Sequence, residues 1–167
     1  MGVTRLACAA LALLPFATAC SANRAAQEFA DDIVSIQAAK QQFCDAWTKR
    51  AGETFDPAKV AAITDEGGFL SFDAFSPEAT TITSRADYLR IWGAAMNGFT
   101  NARMTEVRGL SAWTSPNGAL TTSIVHVHAE TADGKVIDTD AHLTLGWRRT
   151  DDGWLVVHEH ISTGVKR

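Results

Sequence analysis

The sequence lacks a surplus of basic residues: 15 Lys and Arg stand against 19 Asp and Glu, which gives a net charge of −4. Without such a surplus to neutralise phosphates, a nucleic-acid-binding role is disfavoured. Proline is also scarce, with 4 copies, glycine is at an ordinary level with 12, and charged residues make up 20% of the chain. These values exclude collagen-like, disordered and coiled-coil proteins. They predict one globular domain, long enough to bury a core that contains a cavity.

No apolar run reaches the roughly 20 residues that a transmembrane helix needs. The longest run, residues 6–16, is much shorter and is followed by the small residues of 17–20, Ala-Thr-Ala-Cys. This pattern is typical of a signal peptide. We therefore expect residues 1–19 to be a leader and the protein to be exported, to a bacterial periplasm. Two outcomes stay open, cleavage by signal peptidase or lipidation of Cys20, which would anchor the protein to a membrane.

Cysteine is scarce as well, with three copies. Removal of the leader deletes Cys8, and lipidation would occupy Cys20. Cys44 would then be the only thiol, so no disulfide could form within the chain and the fold would depend on its core alone. Cys44 lies among aromatic residues on a predicted helix, which favours a buried, inert thiol over a nucleophile.

Hydrophobic periodicity predicts helices first and a meander of strands afterwards. The expected order is αα-β-α-ββββ, which defines one α+β domain at 28–163, with a short linker at 20–27 and a tail at 164–167. A capping box opens the third helix at Ser84, and Asn-Gly or Asp-Gly turns separate the last four strands. The predicted elements are a helix at about 25–50, a short helix from Asp56-Pro57, a strand at 69–75, a helix from Ser84, and strands near 103–114, 119–131, 136–149 and 154–163.

The closing motif carries a family resemblance. Residues 152–162 read Asp-Gly-Trp-Leu-Val-Val-His-Glu-His-Ile-Ser, and Asp73 stands ahead of Ser76-Pro77. With the element order, this resembles a SnoaL-like domain of the nuclear transport factor 2-like superfamily, related to ketosteroid isomerases and to the association domain of calcium/calmodulin-dependent kinases. The resemblance implies a cone in which a curved antiparallel sheet wraps the long first helix, with a cavity at the open end and a homodimer as the assembled state.

Strand alternation then sorts side chains by face. We expect the polar face of the last strands to be the cavity wall and the apolar face, Leu143, Leu145, Trp147, Leu155, Val157 and Ile161, to form the dimer interface. The cavity would bind an unidentified small organic molecule, and no cofactor is expected. The predicted ligand-binding residues are Tyr88, Trp92, His126, His142, Thr144, His158, His160 and Ser162.

All five histidines fall between residues 126 and 160, and two pairs have His-x-His spacing. Such imidazoles could hold zinc, copper or iron. No acidic residue stands at a spacing that completes a metal site, however, so no metal is predicted. A cupin, which also uses His-x-His, is disfavoured because the first half of the chain is helical.

Asp73 is the carboxylate whose position in the sequence suggests a catalytic role. It stands where the resemblance to ketosteroid isomerases implies the proton-shuttling Asp, and an apolar cavity would raise its pKa toward general-base values. The residues that assist this Asp by stabilising an enolate in those isomerases have no counterpart here. His142 and His160 are the expected substitutes. A small-molecule-binding domain is therefore the first hypothesis. An isomerase, cyclase or hydratase that uses Asp73 with His142 and His160 is the alternative, and a structural dimerisation module is a third.

Overall fold

The computed structural model describes residues 15–74 and 80–164. It contains three helices and six strands within those ranges. The order αα-ββ-α-ββββ confirms the predicted α+β class and adds one short strand. The elements are α1 (Pro15–Ala46), α2 (Pro57–Ala61), β1 (Leu70–Ala74), β2 (Thr80–Ile82), α3 (Arg85–Asn97), β3 (Phe99–Thr114), β4 (Gly118–Thr131), β5 (Val136–Thr150) and β6 (Gly153–Thr163).

Most of the predicted leader lies outside the described residues, as do Ser76-Pro77 and the end of the tail, and the Cys20 side chain is not described either. The first helix begins at Pro15, earlier than the predicted start near residue 25. None of the described helices combines the length and the hydrophobicity needed to cross a membrane.

The sheet is a single curved surface with the strand order β2-β1-β6-β5-β4-β3. The last four strands form the antiparallel meander that the turn signals predict. β1 instead runs parallel to β6, so that Ser71 lies opposite Glu159 and Asp73 opposite Ile161. This pairing brings the first strand of the chain beside the last one.

Local sequence signals set the helix starts. The Asp56 side chain accepts a hydrogen bond from the Ala58 amide, with Pro57 at the first helical position of α2. The Ser84 hydroxyl likewise accepts from the Asp87 amide at 3.1 Å and caps α3. Both caps satisfy amides that have no partner within the helix, and both confirm the predicted helix starts.

The core lies between α1, α3 and the inner face of the sheet. Trp47 is its aromatic centre, stacked on Phe55 at 5.8 Å and meeting Tyr88 edge-on at 5.6 Å between ring centroids. Such pairs contribute roughly 0.5–1.5 kcal/mol each beyond their buried area. Cys44 is buried beside this cluster, where burial raises the pKa of its thiol to about 12. The predicted burial of this thiol is therefore confirmed, and its lack of reactivity stays a prediction.

A β-bulge in β6 decides which side chains face the core. Trp147 pairs with Val156 but Gly146 pairs with His158, so Val157 is an extra residue on β6. A bulge of this kind exchanges the two faces of a strand beyond it. Trp154 and Val156 point inward as predicted, but beyond the bulge the inward residues are Glu159 and Ile161.

The predicted dimer face is therefore wrong for most of its residues. Four of them, Leu143, Leu145, Trp147 and Ile161, are 5% exposed or less and belong to the core. The physical reason is that the most apolar face of a one-layer sheet packs against the helices. The outer face of the sheet carries the polar side chains that were expected to line the cavity.

Candidate functional site

A cavity of about 100 Å³ lies inside the cone, between the helices and the inner face of the sheet. Its wall is almost wholly apolar, and apart from the indole nitrogens its polar side chains are Tyr88 and Glu159. Arg103 also borders the cavity, but it is exposed and pairs with His128 on β4. Pockets of this composition bind apolar molecules and orient them through a few polar groups. The lining residues are Trp47, Tyr88, Trp92, Met96, Phe99, Ala102, Arg103, Met104, Val127, Ala129, Ile137, Glu159 and Ile161.

Glu159 is the only carboxylate among these lining residues. It is 4% exposed and accepts a hydrogen bond from the Ser71 hydroxyl at 3.0 Å. The Tyr88 hydroxyl donates a second hydrogen bond to the same carboxyl group. The parallel pairing of β1 with β6 places Ser71, and α3 supplies Tyr88, so three separate elements hold this one carboxyl.

The surroundings of Glu159 shift its pKa upward from the ordinary 4.5 to about 7. Burial is the main cause, and the nearby negative charge of Asp73 adds to it, while the hydrogen bonds from Tyr88 and Ser71 act in the opposite direction. Burial together with Glu159 also raises the pKa of Tyr88 well above its ordinary value, so its hydroxyl stays a proton donor. A carboxyl that titrates near neutral pH can both accept and return a proton.

Asp73 lies two residues beyond Ser71 on the same face of β1. It is 3% exposed and close enough to influence the charge of both Glu159 and Tyr88. It is not among the residues that line the cavity. The structure therefore brings Asp73 close to Glu159 and Tyr88, but it is not part of the described cavity wall.

Trp47 adds an unused donor to the cavity wall. Its side chain is 7% exposed and lines the cavity. The buried indole Nε1–H finds no acceptor among the described residues. Buried donors are usually satisfied, and an unpaired one costs roughly 1–3 kcal/mol. An oxygen atom on a bound molecule could supply the missing acceptor.

Two predicted ligand-binding residues lie in the cavity wall. Tyr88 is fully buried and Trp92 is partly buried, and both project from α3. Their positions agree with the helical spacing that was read from the sequence. Whether they bind a ligand stays a prediction.

The prediction that the sheet histidines face the cavity is wrong. His142 and His160 are exposed, and His158 is half-buried against Phe72 on the outer face, with ring centroids 5.4 Å apart. The cross-strand pairs of His142 with Ser162 and of Thr144 with His160 place all four residues on that face. The cause is the bulge in β6 together with the inward position of the apolar residues of β5.

His126 and His128 also lie on the outer face, among carboxylates. His126 Nδ1 is 3.0 Å from Asp140, and His128 Nδ1 and Nε2 are 2.9 Å from Asp138 and 3.1 Å from Glu130. Hydrogen bonds to Asp138 and Glu130 raise the pKa of His128. Even so, no group of three His, Cys, Asp or Glu in the described ranges is arranged to hold a metal ion. The absence of a bound metal stays a prediction.

Glu159 is the site residue that the sequence reasoning missed. It stands between His158 and His160, and regular alternation places it on the face opposite to theirs, which was assigned to the dimer interface. The signal that could have found it is the apolar stripe of β5. Leu143 and Leu145 lie opposite Ile161 and Glu159, so the most apolar face of the sheet already contained this one carboxylate.

This chain belongs to the SnoaL-like domain family, whose sequence model matches residues 36–166. The match covers every strand and all of the described site. The family is therefore the one that the closing motif suggested. No curated protein matches the sequence.

Solved structures confirm the nuclear transport factor 2-like fold. A candidate dehydratase of that family from Streptomyces avermitilis is 17% identical with a TM-score of 0.66, and the match covers 81% of this chain and 98% of that one. A candidate aromatic ring hydroxylase from Novosphingobium aromaticivorans is 14% identical with a TM-score of 0.68, covering 80% and 89%. A candidate calcium/calmodulin-dependent kinase association domain from Xanthomonas campestris is 15% identical with a TM-score of 0.59, covering 79% and 84%. At these identities the likeness establishes the fold alone.

Proposed function

We propose that this SnoaL-like domain binds a small apolar molecule in the cavity between the helices and the curved sheet. We further propose that Glu159 moves a proton from one carbon of that molecule to another. The observation that carries the proposal is a single carboxyl group, buried and hydrogen-bonded to Tyr88 and Ser71, in an otherwise apolar cavity wall. Burial of a carboxyl group costs free energy of folding, and buried carboxyl groups with shifted pKa values are concentrated at functional sites. Proton transfer at a carbon beside a carbonyl group is the chemistry that such a site supports best.

The proton can be followed through one cycle. The Glu159 carboxylate removes a proton from the carbon next to the carbonyl of the bound molecule, which leaves an enolate. The unpaired Trp47 indole N–H is the donor in the wall that can stabilise the enolate oxygen, because the single Tyr88 hydroxyl proton is already donated to Glu159. Glu159 then returns the proton to another carbon. The result is an isomerisation that consumes no co-reactant.

A deuterium-exchange assay tests this without knowledge of the natural substrate. Cyclohexanone in D₂O is incubated with the protein, and deuterium uptake beside its carbonyl is followed by NMR. We expect Glu159→Gln to slow the catalysed exchange by about 100-fold or more, since general acid–base catalysis contributes about 10²–10⁴. His160→Ala is the matched control, because His160 neighbours Glu159 in sequence but lies on the outer face. Equal exchange rates for Glu159→Gln and the wild type would contradict the proposal.

Simple binding is the second candidate function, favoured by the scarcity of polar groups in the cavity wall. Calorimetric titration with para-ethylphenol measures it separately. Ala129→Leu adds volume to the cavity wall and should weaken binding, whereas Thr122→Leu adds it on the outer face and should not. Binding without deuterium exchange would leave the protein as a binding domain. Absence of binding to every variant would remove both functions.

A further inference from the structure

A second carboxyl group lies beside Glu159 on the inner face of the sheet. β1 buries Ser71 and Asp73 in the interior, whereas Phe72 between them is exposed on the outer face. This is the alternation of a strand that has one buried face. Asp73 therefore points to the same side of the sheet as Glu159.

The strand pairing determines how close the two residues are. β1 runs parallel to β6, with Ser71 opposite Glu159 and Asp73 opposite Ile161. Neighbouring strands lie about 4.8 Å apart and rise about 3.3 Å per residue, so the Cα atoms of Asp73 and Glu159 are separated by roughly 8 Å. Side chains at such diagonal positions on one face of a sheet are within reach of each other. The two carboxyl groups consequently share one buried region.

The other groups around this region do not neutralise a negative charge there. Among the described residues, the titratable groups that act on Glu159 are Tyr88 from α3 and Asp73 from β1. The buried cation of α1, Lys40, is already paired with Glu106 on β3 at 2.6 Å. The neighbouring strands present apolar side chains to this face, Ile82 from β2 and Leu143 and Leu145 from β5.

A negative charge beside Glu159 opposes the loss of its proton. Like charges repel each other more strongly where water does not screen them. In agreement with this, Asp73 is one of the groups that raise the pKa of Glu159 and the pKa of Tyr88. A carboxylate that holds a proton more tightly is also a stronger base toward a substrate carbon.

We infer that Asp73 is a positioning residue for the proposed proton transfer, because its buried negative charge favours movement of the proton from the substrate to Glu159. The inference rests on the proposed function and adds a residue that acts only through Glu159. This role differs from that of the proton-shuttling base, which the resemblance to ketosteroid isomerases implied for Asp73. A base must contact the substrate, and Asp73 is not part of the described cavity wall.

Replacement of Asp73 by Asn tests the inference, because it removes the charge and nearly keeps the size of the side chain. In the deuterium-exchange assay with cyclohexanone and the full chain, the wild-type rate should rise with pH around the pKa of Glu159, about 7. Asp73→Asn should move the midpoint of this rise downward by about half a pH unit or more and lower the rate above it, since Glu159 becomes a weaker base. A purely structural defect would lower the rate by the same factor at every pH.

Three further variants serve as controls. Asp73→Glu keeps the charge, so its midpoint should stay above that of Asp73→Asn. Asp140→Asn removes an exposed carboxylate on the outer face and should change neither the midpoint nor the rate. Ser71→Ala removes a hydrogen bond to Glu159 and should move the midpoint upward. If Asp73→Asn does not fold, Asp73→Ser is measured in its place.

A second readout does not depend on activity. NMR titration of the Glu159 carboxyl carbon should give the same downward shift in Asp73→Asn. If the wild type catalyses exchange and Asp73→Asn leaves both midpoints unchanged, the inference is wrong and the proposed function is retained. An equal shift in Asp140→Asn would assign the effect to the overall charge and would also contradict the inference. If the wild type catalyses no exchange, the proposed function itself is wrong, whatever the midpoint of Glu159.

Discussion

The Tyr88 hydroxyl donates a hydrogen bond to the Glu159 carboxyl, which joins α3 to β6 at the cavity wall. Both side chains are buried. The bond therefore has two effects. It satisfies two polar groups that water cannot reach, and it limits the rise in the pKa of Glu159 that burial causes.

Replacement of Glu159 by Gln should make stability less dependent on pH. Because the folded-state pKa is raised from 4.5 to about 7, the folded protein holds this proton more tightly than the unfolded chain. The wild type therefore loses stability as pH rises from about 4.5 to 7, by an amount on the order of 3 kcal/mol at most. Glu159→Gln has no such proton, so its stability should fall less between pH 5 and pH 8.

Urea unfolding at the two pH values measures this difference. Glu66→Gln is the control, since the Glu66 side chain is 85% exposed. Its pH dependence should equal that of the wild type. Parallel curves for Glu159→Gln and the wild type would mean that Glu159 does not titrate in this range.

Removal of the Tyr88 hydroxyl should raise the pKa of Glu159 further. The hydrogen bond from Tyr88 lowers this pKa against the effect of burial, so Tyr88→Phe removes a stabilising contact of the carboxylate. Ser71→Ala should act in the same direction, because its hydroxyl donates at 3.0 Å. The midpoint is read from the carboxyl carbon of Glu159 by NMR across a pH series. A downward shift in both variants would show that the hydrogen bonds have the opposite role.

The sequence predicts the elements of this fold well and the faces of its strands poorly. The helix starts at Asp56 and Ser84 depend on contacts within a few residues, so they are visible in the sequence. The bulge at Val157 depends on how β6 meets β5, a contact between distant segments. Strict alternation consequently placed His160 inside and Glu159 outside.

The short strand β2 shows the same limit. Thr80–Ile82 has only three residues, and its partner is β1. Nothing in so short a stretch distinguishes a strand from a loop until β1 is in place. The part of the cavity wall that α3 contributes was easier to predict. Ser84 marks the start of the helix in the sequence, and Tyr88 and Trp92 follow it at helical spacing.

Two glycine substitutions should have opposite effects. In Gly93→Ala the new methyl group meets nothing nearer than 3.9 Å, so the helix gains about 1 kcal/mol from the better propensity of alanine. In Gly146→Ala the new carbon would lie 3.1 Å from the His158 Cβ beside the bulge, which should cost roughly 1–3 kcal/mol. Urea unfolding of the two variants checks the signs. Equal stabilities would show that β5 and β6 separate easily at this point.

We still propose a homodimer, now through the outer face of the sheet. Trp113 and Leu120 lie opposite each other there and are 61% and 43% exposed. Trp113→Glu should produce monomers in sedimentation velocity at micromolar concentration, since an interface tolerates a buried unpaired charge poorly. Val34→Glu is the control, because Val34 is 70% exposed but lies on α1 and not on the sheet. A wild type that sediments as a monomer would contradict the proposal.

Export and lipidation are proposals as well, based on the apolar stretch 6–16 and on Cys20. Labelled palmitate should enter the protein in a bacterial host, and Cys20→Ala should abolish the labelling. An unlabelled protein whose mature chain starts at or after Cys20 would leave export without lipidation. A cytosolic protein that retains Met1 would contradict both.

The bulge at Val157 also bears on how such a domain can acquire a new activity. Pairing of β6 with β5 without the bulge, so that Val157 instead of His158 lies opposite Gly146, would exchange Glu159 for His158 or His160 at the inner surface. Loss of the bulge without a change in the length of the strand could thus replace an acid with an imidazole in one event. Adjacent residues of different chemistry on β6 therefore offer alternative reactive groups. The bulge determines which of them face the cavity.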